Sequence, residues 1–130
     1  MKLLVDSTVF IDFFGGRETE QVATLEECFQ NSDDVCYCGF VLAEVLQGIR
    51  DEQEFVATKR LFEELLYLPD DRSTFELGAG IYRELRRKGT TIRSPIDCLI
   101  AAIVVQHGVC LLENDRDYRF IDQHYPLNRL

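Results

Sequence analysis

No apolar run in this 130-residue chain reaches the roughly 18 residues that a membrane-spanning helix needs, so nothing in the sequence reads as a membrane segment. The N-terminal MKLLVDS meets a carboxylate after three apolar residues. That is too early for the apolar core of a secretion signal, and the expected location is cytoplasmic. Cys28, Cys36, Cys38, Cys98 and Cys110 form no C-x-x-C pair, and His107 and His124 lie elsewhere. A zinc site wants closely spaced thiolates completed by Cys or His, so the cysteines read as small buried hydrophobes. Repeats, low-complexity tracts and linkers are absent too, which leaves one domain over residues 1–130.

Positive charge is also scarce. Lys and Arg number 14 against 23 Asp and Glu, for a net charge of −9. Such a balance repels phosphate backbones and argues against a non-specific nucleic-acid binder. It does not argue against a nuclease whose carboxylates hold cations. The basic residues that exist gather in YRELRRKGTTIR, which supplies Arg83, Arg86, Arg87, Lys88 and Arg93. That run is either the solvated end of a helix, favourable to its dipole, or a contact for RNA or protein.

What the chain does have is alternation. Lys2 to Val5, the VCYC stretch and Val109 to Leu112 read as short strands, apolar on both faces as in a central parallel sheet. Between them lie helical stretches: Val9 to Phe14, Thr19 to Gln30, Val41 to Ile49, Glu52 to Leu66, a helix capped by Ser73 or Thr74 running to Lys88, and Ser94 to Gln106. The last has Ser at its N-cap, Pro95 at the first helical position and Asp97 at the third. The pattern predicts an α/β fold with a mainly parallel central sheet of four or five short strands, flanked by helices on both sides.

Sheets of this kind bind ligands outside the carboxyl ends of their strands. Asp6 follows the first strand and Asp115 follows the last. Glu44 lies inside the apolar FVLAEVLQGI, and Asp97 opens the apolar DCLIAAIVV. Carboxylates are rarely buried without partners, and no Lys or Arg falls near enough in sequence to Glu44 or Asp97 to be an obvious local partner. A hard cation with oxygen ligands, Mg²⁺ or Mn²⁺, would satisfy all four and could activate water against a phosphodiester. Each acid also has a plainer reading. Asp6 could cap the first helix, Asp97 could complete a capping box with Ser94, and Asp115 could sit in a surface turn. Glu44 is the hardest to explain in such terms.

Taken together these motifs resemble the PIN-domain family, and in length and motif order the VapC-type toxins of toxin–antitoxin pairs. The resemblance rests on DSTVFID at Asp6, Thr8 and Asp12, on EVLQG at Glu44 and Gly48, on Asp97 in DCLIAAIVVQHG, and on Asp115, Asp117 and Tyr118 in DRDY. It implies a ribonuclease in which Asp6, Glu44, Asp97 and Asp115 hold Mg²⁺ or Mn²⁺, a cognate antitoxin that covers the active site, and a homodimer. It further implies that the Thr8 hydroxyl bonds a neighbouring carboxylate or a metal-bound water, its plainer role being a helix cap. Asp117 is an outer ligand or part of a solvated turn, and Asp12 belongs to the exposed face of the first helix. His107 and His124, the second in a polar tail, are not ligands. Arg86, Arg87, Lys88 and Arg93 are the candidates for substrate contact. One position departs from the family pattern: where Thr or Ser is common, two residues before the last acid, this chain has Glu113.

The competing expectation is a PIN-like module that acts through protein contacts without catalysis, motivated by the acidic surface and by Glu113. Phosphotransfer and receiver domains also place acids after parallel strands. The first would want an Asp where Thr8 stands, and the second a Lys where LLENDRD offers Arg116.

Overall fold

The computed structural model describes residues 2–130. Strand β1 (Lys2–Val5) is apolar from Leu3 onward and fully buried there. It pairs in parallel with β2 (Asp34–Tyr37) on one side and with β4 (Cys110–Leu112) on the other, and β3 (Leu66–Tyr67) extends the sheet beyond β2. The order is β3-β2-β1-β4. The chain therefore works outward from β1 in one direction and then returns to β1's opposite edge. The crevice between β1 and β4 is the switch point at which such sheets place their ligands.

Four helices connect the first strands: α1 (Ser7–Phe14), α2 (Glu20–Gln30), α3 (Gly39–Gln47) and α4 (Glu52–Glu63). They pack against one another, α1 on α2 and α3, and α3 on α4. The second group is α5 (Arg72–Arg87), α6 (Pro95–His107) and α7 (Asp117–His124), mutually packed. Helix α6 is buried at Asp97, Cys98 and Ile100 through Val104, which explains why its sequence is apolar all round. Gly108 ends it in the left-handed conformation at φ 63°, a position where glycine carries no Cβ penalty. Among the described residues all five cysteines are free; four are buried, and burial pushes the Cys98 thiol up to about 12.

Three local expectations are corrected. The long helix starts at Arg72, because Asp71 rather than Ser73 or Thr74 is its cap and Thr74 closes the capping box. The helix expected to reach Leu66 stops at Glu63, and Leu66 joins β3, a two-residue strand with no alternation to read. The residues around His124 are not a polar tail but the end of α7, which buries Asp117, Tyr118 and Ile121. Beyond it the C-terminal residues run along β4, where Leu111 donates to the Asn128 carbonyl at 2.7 Å and Leu130 donates to the Leu111 carbonyl at 2.9 Å. No described helix is long and apolar enough to cross a membrane.

Candidate metal centre

Asp6 is the first residue after β1, and its amide donates to the Leu112 carbonyl at 2.9 Å. This bond ties the ends of β1 and β4 together, so the acids after each strand share one rim. Asp6 stands at the N-cap of α1, yet its side chain makes no cap bond. The carboxylate instead accepts from Thr8 Oγ1 at 2.9 Å and from the Tyr118 hydroxyl at 3.1 Å. Of the two readings of Thr8, the bond to a neighbouring carboxylate is the one observed. Asp97 likewise makes no capping box, since Ser94 forms no side-chain cap. Its Oδ1 lies 3.3 Å from the same Tyr118 hydroxyl, and its buried Oδ2 has no hydrogen-bond partner.

Among the described residues, Asp97, Asp115 and Asp117 form a close grouping of carboxylates, each offering an oxygen within 4.8 Å of the others. Asp115 accepts the Asp117 amide at 2.9 Å through Oδ1. The backbone turn that begins α7 thereby brings both acids to α6. Asp117 is 3 % exposed rather than part of a solvated turn, and its Oδ2 is buried without a hydrogen bond. Asp6 reaches this trio through Tyr118. Glu44 is half-buried and accepts from Ser7 Oγ at 3.3 Å, so it borders the site on the α3 side, outside the trio. Asp12 is turned to Arg17 at 3.3 Å. His107 contacts the Pro69 carbonyl, away from the acids.

Burial raises Asp6, Glu44 and Asp97 alike. Asp97 is pushed up to about 8, first by burial and then by the charges of Asp6, Asp115 and Asp117. Burial also raises Asp6, against the hydroxyls of Thr8 and Tyr118, and raises Glu44 with help from Asp6. The hydrogen-bond geometry agrees. The Tyr118 hydroxyl has one hydrogen to share between the Asp6 and Asp97 carboxylates, so it cannot satisfy both at once.

A sign follows for stability. The Asp97 carboxyl ionises near its ordinary value of 3.8 in the unfolded chain and near 8 in the folded one. Folding therefore takes up a proton between those values, and metal-free stability falls as pH rises through that window. We expect urea midpoints to drop between pH 5 and pH 8, and saturating Mn²⁺ to reverse the drop by roughly 3 kcal/mol at a hundredfold excess over its Kd. A metal-free midpoint that rises with pH over this range would contradict the picture.

Tyr118 is the residue that sequence reasoning undervalued. It is fully buried, and its hydroxyl is the joint between Asp6 and Asp97. The one sequence signal was an aromatic residue directly after the last acids. Tyr118→Phe should cost about 1–3 kcal/mol in the metal-free chain, since the one donor that Asp6 and Asp97 share is lost. Thermal melts with and without Mn²⁺ check this, the difference narrowing once a cation satisfies both carboxylates.

The basic residues divide. Arg93 reaches the acids, with Nη2 3.4 Å from Asp115 Oδ1 and Nε 3.7 Å from Asp117 Oδ2. Arg87 and Lys88 pair with Glu84 on their own helix, and Arg86 lies over the Tyr82 ring. Glu113, the departure from the family pattern, stands outside the close group of Asp97, Asp115 and Asp117. Its Oε2 accepts the Asp115 amide at 2.8 Å and its Oε1 faces Arg129 Nη1 at 3.3 Å. The observation behind the non-catalytic reading thus takes a structural explanation.

Comparison with known proteins agrees with this architecture. The PIN domain model matches residues 3–123. The chain belongs to the PIN domain family. This PIN domain is 34% identical over 123 residues to the VapC ribonuclease Mb1587 of Mycobacterium bovis, across 92% of this chain and 90% of that protein. Its fold matches a VapBC2 structure from Rickettsia felis, bound to a DNA fragment from the promoter, with a TM-score of 0.77 at 16% identity over 100% of this chain and 98% of that one. It also matches a toxin–antitoxin complex from Klebsiella pneumoniae, with a TM-score of 0.75 at 14% identity over 98% and 95% of the two chains. At such identities the two structures speak for the fold alone.

The donor set fits a hard divalent cation. It consists of carboxylate oxygens, two of them are buried without a hydrogen bond, and the trio's spacing lets one ion touch all three acids.

Proposed function

We propose that this PIN domain is a metal-dependent endoribonuclease and the toxin of a toxin–antitoxin pair. The observation that carries the reading is the convergence of Asp97, Asp115 and Asp117 within 4.8 Å at the β1/β4 switch point. Mg²⁺ or Mn²⁺ would be held by these three acids together with Asp6, with Glu44 bordering the site. When bound, the cation supplies Lewis-acid activation of water and of the phosphodiester. The protein's own work is to hold the carboxylates in place before substrate arrives. Thr8 and Tyr118 hold Asp6, Ser7 holds Glu44, and the backbone turn after β4 sets Asp115 and Asp117. Arg93, already at the acid rim, is placed to leave those carboxylates for a substrate phosphate once a cation neutralises them. The remaining candidates Arg86, Arg87 and Lys88 lie at the C-terminal end and cap of α5, where RNA would extend from the rim.

The relatives support the wider reading: one is named a VapC ribonuclease and another a toxin–antitoxin complex. We accordingly expect a cognate antitoxin that covers the acids, a homodimer in solution and a cytoplasmic location. Sequencing RNA ends after induction of the wild type and of Asp6→Asn tests the function. New 5′ ends and growth arrest should accompany the wild type alone. Identical RNA ends in both strains would overturn the proposal.

A further inference from the structure

Glu113 is the residue directly after β4, it is 9 % exposed, and it carries a full carboxylate two positions before Asp115. A fourth acid so near would be expected to join the others around a cation. It does not belong to the close group formed by Asp97, Asp115 and Asp117. One of its oxygens accepts the Asp115 amide at 2.8 Å, and the other is taken by Arg129 at 3.3 Å.

Arg129 is itself held twice. Its Nη2 and Nε both lie 3.1 Å from Asp122 Oδ2 on α7. Its backbone is fixed because the residues on either side of it pair with Leu111, and Asp122 also accepts the Leu127 amide at 2.6 Å. The C-terminal segment thus presents one guanidinium to the end of β4 in a set orientation. From there the bonds form a chain: Arg129 donates to Glu113, which also accepts the Asp115 amide, and Asp115 Oδ1 in turn accepts the Asp117 amide.

We infer that Arg129 is a positioning residue for the metal centre, acting through Glu113 to set the turn that carries Asp115 and Asp117. By compensating Glu113's charge and drawing one of its oxygens outward, Arg129 keeps that carboxylate as a hydrogen-bond acceptor for the turn rather than a rival ligand. Partners of this kind, one bond removed from the ligands, commonly govern metal affinity by about 10–100-fold. The inference rests on the cation site proposed above, and its failure can be told apart from the failure of that site.

The test is a double-mutant cycle read by calorimetric titration with Mn²⁺, alongside thermal melts of the same samples. Arg129→Met keeps the aliphatic stem and removes the charge. In the otherwise unaltered chain it should weaken Mn²⁺ binding by about tenfold or more. Once Glu113→Gln is present no charge needs compensation, and the same Arg129→Met change should cost less than about threefold. An Arg129→Met protein that fails to fold beside a folded double variant would also support the inference, because the uncompensated Glu113 would be the cause. Equal losses in the two backgrounds, or misfolding in both, would overturn it, since Arg129 would then act by tethering the C-terminal segment. Unchanged affinity in Arg129→Met would overturn it as well. A wild-type chain that takes up no Mn²⁺ would overturn both this inference and the site beneath it.

Discussion

Asp97→Asn is expected to lower RNA cleavage by about 100-fold or more, close to 3 kcal/mol of transition-state stabilisation, while making the metal-free protein more stable. The two effects have opposite signs because one group causes both. Asp97 opens a helix whose interior is buried, faces three other acids and has a buried oxygen with no partner. Such a carboxyl costs the metal-free fold free energy that a bound cation would recover. Asparagine keeps an oxygen for the Tyr118 hydroxyl and places N–H donors toward Asp115 and Asp117, so the repulsion is removed along with the ligand. Cleavage assays and urea melts on the same preparation check the pair. A variant that lost activity and stability together would mean that Asp97 serves the fold rather than the chemistry.

The second large effect is one of packing. Gly78, buried in α5, faces α6, and a Cβ there would stand 2.5 Å from Leu99 Cδ2 and 3.2 Å from Leu99 Cα. The first contact could be relieved by rotating a leucine, but the second is backbone. For Ala the clash sets itself against a helix-propensity gain of about 1 kcal/mol. Val adds two branched methyls and must push the helices apart. Gly78→Val should therefore cost about 3 kcal/mol, or roughly 10 °C in Tm for a chain of this size. Because Leu99 lies two residues from Asp97, Mn²⁺ affinity should fall with it, while Gly80→Val, where a Cβ meets nothing within 4 Å, should leave affinity intact. Equal melting temperatures for Gly78→Val and the wild type would rule out the close approach of α5 and α6.

The parts of this fold that were legible in the sequence are those whose burial leaves a local trace. Strand β1, strand β4 and helix α6 are apolar on every face because they are enclosed, and an acid at the edge of each stands out. Glu44 stood out in the same way, though the structure sets it beside Ser7 at the border of the site and outside the close trio. Helix α7 left no such trace. Its sequence, DYRFIDQH, is mostly polar, and only its packing against α5 and α6 buries Asp117 and Tyr118. Asp117 therefore read equally well as an outer ligand or as part of a solvated turn, and the structure groups it with Asp97 and Asp115. The basic run illustrates the reverse case. The five cations between Arg83 and Arg93 read either as a solvated helix end or as a contact for RNA or protein, and Glu84 sits at the spacing that pairs with Arg87 and Lys88 along one helix face. Only Arg93, beyond the helix, is carried to the acids. The role of Arg129 had no local signature at all, because it depends on the C-terminal residues returning to the edge of β4.

The central claim is that these carboxylates make a site for a catalytic cation. Its most direct test is RNA cleavage by the purified chain after exhaustive chelation, followed by stepwise return of Mn²⁺. The account predicts no cleavage in chelator and a saturable recovery as Mn²⁺ is restored, absent in Asp97→Asn. Cleavage that continued undiminished in chelator would contradict it.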